Sequence, residues 1–327
     1  MTLHPSIAAV RLPVRTTLGG LSDGDVVAVA CSGGADSLAL AAAAVFEGHR
    51  RGLRVVGATV DHGLQPGSAA QADRVVGQLA TMGVDETLTA RVEVDVASGL
   101  GPEAAAREAR YAVLEQVAAH LGARQVLLGH TLDDQAETVL LGLARGSGGR
   151  SLQGMRPAFG VFVRPLLGVR RVDTVTACQV EGLDVWDDPH NRDPGYTRVR
   201  VRHRVLPVLE DELGPGIAAT LARTAEQLRE DTALLDELAA RAHDDALREG
   251  GLDVEVLAAT PPALRHRVVH RAALDTGVPA SELTRDHVLA VDRLLVGWRG
   301  QKWIDLPGPV RALRRDGLLV LEPAPRP

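Results

Sequence analysis

The chain has 327 residues, 45% hydrophobic and 24% charged, with a formal net charge of −6. That length predicts about two domains with ample material for a core. The acidic balance argues against indiscriminate nucleic-acid binding, though not against a local basic surface. Aromatic residues are 2% of the total, so Val, Leu and Ala must fill the interior. Cys31 and Cys178 make neither a disulfide framework nor a C-x-x-C pair, which fits a reduced, cytoplasmic setting. Met1–Arg15 lacks the apolar core of a secretory signal, and Asp36 breaks the best candidate span, so no membrane segment is expected.

In chain order, residues 5–20 predict a helix or irregular lead-in. Val26–Cys31 is a short β-branched apolar run, followed by Ser32-Gly33-Gly34-Ala35-Asp36-Ser37 and then by the Ala-rich stretch Leu38–Phe46. The order is buried strand, tight loop, helix. Such a loop can hold phosphate. Glycines let the backbone approach closely, and the first helical N–H groups and the helix dipole favour an anion. Ser32 and Ser37 can add hydroxyl donors. Asp36 would repel phosphates unless a cation such as Mg²⁺ bridges them. The loop carries no lysine, so this is not the G-x-x-x-x-G-K-[ST] loop.

Leu53–Val60 predicts a second strand, ending in Asp61-His62-Gly63, where α/β folds place ligands. Residues 68–82 predict a helix and Thr87–Val96 a half-buried strand. Pro102 opens a helix ending before Gly122; on it Arg107 and Arg110 share a face. Gln125–Gly129 predicts the next strand. The alternation implies an α/β fold: a Rossmann-like, mostly parallel sheet with helices on both faces.

The strand at 125–129 leads into His130-Thr-Leu-Asp133-Asp134-Gln-Ala-Glu137-Thr138, with Leu140, Leu141 and Leu143 continuing a helix. Capping by Thr131 or Asp133 accounts for one or two acids, but not for three and a histidine. Arg145-Gly-Ser-Gly-Gly-Arg150 reads as a linker or a clamping loop. Val161–Leu167 predicts a short strand and turn, and Val172–Glu181 a helix. After the polar stretch Trp186–Asp193, including Arg192, the segment Arg198-Val-Arg200-Val-Arg202-His-Arg204 is the densest basic run. As a strand its arginines align; as a helix they spread around the surface. Either arrangement suits phosphate backbones. The turn Leu213–Gly216 marks a boundary between domains 1–213 and 214–327. The second reads as smaller and mainly helical, with helices at 217–248, 261–276 and 284–296 and short strands in 301–322. No internal repeat is present.

Together these segments carry a resemblance. Ser32–Ser37 resembles the signature loop of ATP pyrophosphatases. Val60–Pro66, Ala106–Tyr111, Gly129–Thr138, Arg145–Gly148 and Trp186–Asn191 resemble the tRNA(Ile)-lysidine synthetase family, in the family's order, over about residues 25–210. The resemblance implies that ATP adenylates the cytidine C2 oxygen at the first anticodon position of tRNA(Ile) with a CAU anticodon. Free L-lysine then displaces AMP. On this reading Ser32–Ser37, Asp61 and His62 bind ATP, and Asp36 and Asp134 share Mg²⁺. Arg110 and His130 face the transferring phosphoryl group. Asp134, Glu137 and Arg107 hold lysine, and Arg145, Arg192, Arg198, Arg200, Arg202 and Arg204 grip the tRNA. A homodimer is compatible with the sequence.

Two residues depart from the family pattern: Val199 stands where Asn is expected, and His190 where Ser is expected. Three alternatives are tRNA thiolation, a small-molecule amidotransferase-type synthetase, and a tRNA- or nucleotide-binding protein without catalysis. Cysteine use, the basic segment and the intact acids respectively weigh against them.

Overall fold

The computed structural model describes residues 3–61, 67–92, 102–146 and 148–324, save the side chains of 102–106. Packing divides the chain into one unit of 1–146 with 151–225 and a second of 147–150 with 226–327.

The first unit opens with α1 (Pro5–Thr17), β1 (Val26–Ala30) and α2 (Ala35–His49). There follow β2 (Arg54–Asp61), α3 (Ser68–Met82), β3 (Glu86–Arg91), α4 (Pro102–Leu121), β4 (Gln125–Leu128) and α5 (Leu132–Arg145). A hairpin of β5 (Ala158–Phe159) and β6 (Phe162–Val163) precedes α6 (Arg171–Glu181). The sheet order is β3-β2-β1-β4-β6-β5, parallel except for β5. The expected mostly parallel sheet is present. The third strand is shorter than predicted: β3 stops at Arg91, and residues 93–96 lie outside the described residues.

Alternation along the strands covers both faces, as a parallel sheet requires. Val27, Val29 and Leu127 join a core with α1, α2, α3 and α6 side chains, including Val14, Leu38, Leu79 and Cys178. Ala28, Val126 and Leu128 meet Leu114 and Ala118 of α4 on the other face. The chain leaves β1 toward β2 and β3, then returns through α4 to β4 on the opposite side of β1. This order reversal opens a crevice at the carboxyl ends of β1 and β4, the usual ligand position in such sheets.

The basic segment is helical. Helix α7 (Thr197–Arg200) passes through a wide π-type turn at Val201–Val205 into α8 (Leu206–Glu212). The wide turn lies just before Pro207, which has no N–H to continue a regular ladder. Helix α9 (Ile217–Ala246) follows, and the division between units falls inside it.

The second unit continues with β7 (Leu247–Arg248), β8 (Gly251–Asp253), α10 (Val254–Ala259), α11 (Pro262–Asp275), α12 (Arg285–Val296), β9 (Ile304–Leu306), β10 (Val310–Arg315) and β11 (Leu318–Pro323). The strands form one antiparallel sheet, β7-β8-β11-β10-β9. The elements β7, β8 and α10 were not evident in the sequence, being two to six residues long with no resolvable period. Leu257, Val268, Val291, Leu294 and Leu319 fill this unit's core.

Candidate active site

The loop after β1 is held from several sides. Cys31 N–H donates to Ala58 O at 2.8 Å, and Trp186 N–H to Gly33 O at 3.0 Å. Gly33 has φ +84°, and a Cβ there would stand 2.8 Å from Val75 Cγ2. Both the left-handed backbone and the space require glycine. Gly34 differs: it caps α2 with φ −77°, and a Cβ would meet only Ser32 Oγ at 3.7 Å. Its missing side chain opens room rather than a conformation. Ser37 is not the free donor its sequence position implied. Its hydroxyl donates to Gly34 O at 2.9 Å and accepts from Ser32 N–H at 3.2 Å, closing the loop on itself. Ser32 is exposed, and the amides of Ala35 and Asp36 begin α2 without intrahelical acceptors. A cleft of about 390 Å³ lies here, lined by Ser32, Gly34, Asp61, Arg110, His130 and Trp186 among others. His62 lies outside the described residues.

The acidic cluster sits at the adjoining helix start. Thr131 caps α5 in a capping box: its N–H donates to Asp134 Oδ2 at 2.9 Å and its hydroxyl at 3.1 Å. The other oxygen, Oδ1, accepts from Arg171 Nη2 at 2.6 Å and Arg202 Nη2 at 3.2 Å. Arg171 Nε also donates to Asp36 Oδ2 at 3.1 Å, and Nη1 to Glu137 Oε1 at 3.3 Å. Thr174 donates to Asp36 Oδ1. Glu137 is fully buried and is forked by Arg202, at 2.6 Å to Oε1 and 3.0 Å to Oε2.

One guanidinium, Arg171, therefore joins all three carboxylates, and sequence reasoning missed it. A signal existed: an arginine in the first turn of α6 opposes the helix dipole and must find an external anion. Burial favours the neutral form of Asp134, but Arg171, the Thr131 amide and Arg202 outweigh it and hold its pKa down at about 2. Burial raises that of Asp36, and the Asp134 charge adds to the rise in spite of Arg171 and Thr174.

The expected row of tRNA-facing arginines is divided. Arg202 turns inward onto Glu137 and Asp134. Arg198 lies 4.0 Å from Glu137 and donates to Thr138 Oγ1 at 3.4 Å. Arg200 ties its own turn to Pro194 O and Gly195 O. Arg192 pairs with Asp187 at the surface, and Arg145 and Arg204 are exposed. Arg107 donates to Tyr111 Oη at 3.5 Å, with Arg164 on the same oxygen at 3.0 Å; no contact joins it to Asp134 or Glu137 among the described residues. Burial lowers the pKa of Arg110, helped by Arg107, Arg164 and Arg198. Burial likewise lowers His130 to about 3, against the pull of Asp134, and its Nδ1 has no hydrogen-bond partner. His130 is therefore a neutral imidazole at the cleft wall.

Asp36 and Asp134 are hard oxygen donors of the kind Mg²⁺ takes together with substrate phosphates. Among the described residues no three His, Cys, Asp or Glu side chains form a metal cage. The donor set thus suits a cation shared with a bound polyphosphate, and it excludes a cage made by these side chains alone.

A strand–loop–helix anion cradle beside paired carboxylates, at the switch point of a parallel sheet, is the arrangement of an enzyme that binds nucleotide phosphates together with a cation. Residues 13–209 match the PP-loop domain, and residues 252–319 match the TilS substrate binding domain. The tRNA(Ile)-lysidine synthase of Thermobifida fusca is 53% identical over 97% of this chain and 98% of its own. That of Streptomyces coelicolor is 50% identical over the same shares. The chain belongs to the tRNA(Ile)-lysidine synthase family. Among solved structures, the U34-tRNA thiolase NcsA of Methanococcus maripaludis, with its [4Fe-4S] cluster, shares the fold: TM-score 0.58, 20% identity, 69% of this chain and 80% of that one.

Proposed function

We infer that this protein uses ATP to join L-lysine to C2 of the cytidine at the first anticodon position of tRNA(Ile), releasing AMP and pyrophosphate. The observation that carries the reading is the meeting of two strand ends in a chain of this family. The Ser32–Ser37 loop and the His130–Glu137 helix start stand side by side at β1 and β4.

The chain's own residues suit the chemistry. The amides of Ala35 and Asp36 and the Ser32 hydroxyl receive phosphate oxygens. Asp36 and Asp134 would hold Mg²⁺, which offsets charge on the departing pyrophosphate. Arg110, a cation in the cleft wall, stabilises the transferring phosphoryl group. His130, being neutral, can donate one N–H there but brings no charge. Asp134 and Glu137 supply the negative charge for lysine's ammonium groups, and Arg202 pairs with both of them.

Exposed Arg145, Arg192 and Arg204 offer phosphate contacts on the first unit. On the second unit Trp298 and Trp303 are 49% and 46% exposed, with Arg314 and Arg311 over their rings. Lys302 stands between them in sequence. Aromatic faces beside cations suit stacked bases and phosphate.

The thiolation alternative is weaker. Both cysteines are buried, Cys178 is pushed up to about 12 chiefly by burial, and burial also raises Cys31. Neither is a ready thiolate. Among the described residues no helix is long and apolar enough to cross a membrane.

The test is pyrophosphate release from ATP, with and without L-lysine and a CAU-anticodon tRNA(Ile) transcript, with the nucleoside analysed by mass spectrometry. A mass gain on cytidine matching lysine, dependent on all three substrates, is expected. Turnover without lysine incorporation would refute the assignment.

A further inference from the structure

We propose that Arg171 is a resident counter-ion: in the nucleotide-free protein it occupies the place of the divalent cation between Asp36 and Asp134, and it exchanges onto phosphate when the nucleotide enters. The proposal rests on the Mg²⁺ reading above and adds what holds the carboxylates together before the metal arrives.

The geometry carries it. Nε lies 3.1 Å from Asp36 and Nη2 2.6 Å from Asp134, so the guanidinium bridges the two carboxylates expected to share the cation. Nη1 reaches Glu137 at 3.3 Å. Arg202 also neutralises Asp134 and Glu137, but among the described contacts only Arg171 links Asp36 to the helix α5 acids. The side chain is half-buried and its base is fixed, because Arg171 N–H donates to Asp133 Oδ2 at 2.7 Å. The position is costly by itself. A cation in the first turn of a helix opposes the dipole, and three carboxylates packed together repel unless neutralised. Each cost is removed by the other group.

The exchange also balances. A divalent cation arriving with ATP would take the Asp36 and Asp134 oxygens that Arg171 holds, and its two charges would repel the guanidinium from between them. The released guanidinium would then lie beside a polyphosphate, whose oxygens match its planar fork. The carboxylates keep a counter-ion before and after, and the phosphates gain one. Arg171 is thus a positioning residue in the free protein and a phosphate ligand in the complex.

The test uses the full-length protein and Mn²⁺ as probe, following free Mn²⁺ by electron paramagnetic resonance, with and without a non-hydrolysable ATP analogue. Wild type is expected to bind Mn²⁺ only with the nucleotide. Arg171→Met should gain nucleotide-free Mn²⁺ binding of at least tenfold higher affinity, and bind the analogue about tenfold more weakly. Adding Asp36→Asn to Arg171→Met should abolish the gained Mn²⁺ site. Unchanged nucleotide-free Mn²⁺ affinity in a folded Arg171→Met protein would overturn the proposal. So would equally tight nucleotide-free binding by wild type. Arg171→Lys covers the case in which the Met variant does not fold. An ammonium cannot fork across three carboxylates, so Mn²⁺ affinity should rise several-fold, and no rise overturns the proposal. If neither protein takes up Mn²⁺ even with the analogue, the metal reading itself fails. If wild type does and Arg171→Met shows no nucleotide-free gain, only the role of Arg171 fails.

Discussion

Arg202 separates two accounts of the basic segment. As a surface contact for tRNA it should matter little to folding. As the structure has it, Arg202 is 23% exposed and forks onto Glu137, which is wholly buried. Replacing Arg202 by Met leaves that carboxylate with Arg171 at 3.3 Å and Arg198 at 4.0 Å. Removing one partner of a buried pair costs about 3–5 kcal/mol. The remaining arginines and the partial exposure bring this to about 2–3 kcal/mol. For a unit of this size each kcal/mol lowers Tm by roughly 2–4 °C, so a fall of roughly 4–12 °C is expected. Thermal and urea unfolding of Arg202→Met, Glu137→Gln and the double variant form a cycle whose coupling should be about 1–3 kcal/mol. Arg204→Met, on the exposed side of the same helical segment, is the comparator and should leave Tm unchanged. If Arg202→Met melts with wild type and only tRNA affinity falls, the inward pairing is not how Arg202 serves the protein.

The two loop glycines should separate folding from nucleotide binding. Gly33→Ala strains a backbone at φ +84° and puts a Cβ against Val75, so it should lose about 1–3 kcal/mol of stability as well as ATP binding. Gly34→Ala should keep wild-type unfolding and raise only the KM for ATP; equal destabilisation by both would refute the distinction. His130 gives a pH signature. Its folded pKa of about 3 lies below the ordinary 6.5, so the unfolded chain takes up the proton first as pH falls. Stability is full above pH 6.5 and is lost toward pH 3, by at most about 1.4 kcal/mol per unit. His130→Asn should flatten that slope between pH 6.5 and 5, where Asp134, held at about 2, adds little; an unchanged slope would show that His130 is not buried as a neutral ring.

Much of the fold was legible because its signals are local. Apolar runs of strand length, the Pro102 start and Gly122 stop of α4, and the leucine spacing after Asp134 each reflect the turn geometry of a few neighbouring residues. The same holds for the phosphate loop, whose glycines, serines and acid lie within six positions. In the second unit the locality fails: β7 and β8 are too short to carry a period and exist because β11 pairs with β8.

The sequence alone determined that three acids and a histidine follow the strand β4, and that a loop built for phosphate follows β1. It also determined that a dense run of arginines follows. Which charges neutralise which was decided only by the tertiary structure. Arg171 meets Asp36 across 135 residues of chain, and Arg202 meets Glu137 across 65. Helical rotation through the wide turn at Val201–Val205 sends Arg202 inward while Arg204 stays exposed. Ser37 spends its hydroxyl on its own loop, and Gly34 proves to be a matter of space, not of φ. The physical reason is common to all of these. An ion pair or a hydrogen bond is set by distance through space and by exclusion of water, and both are fixed only when the helices pack.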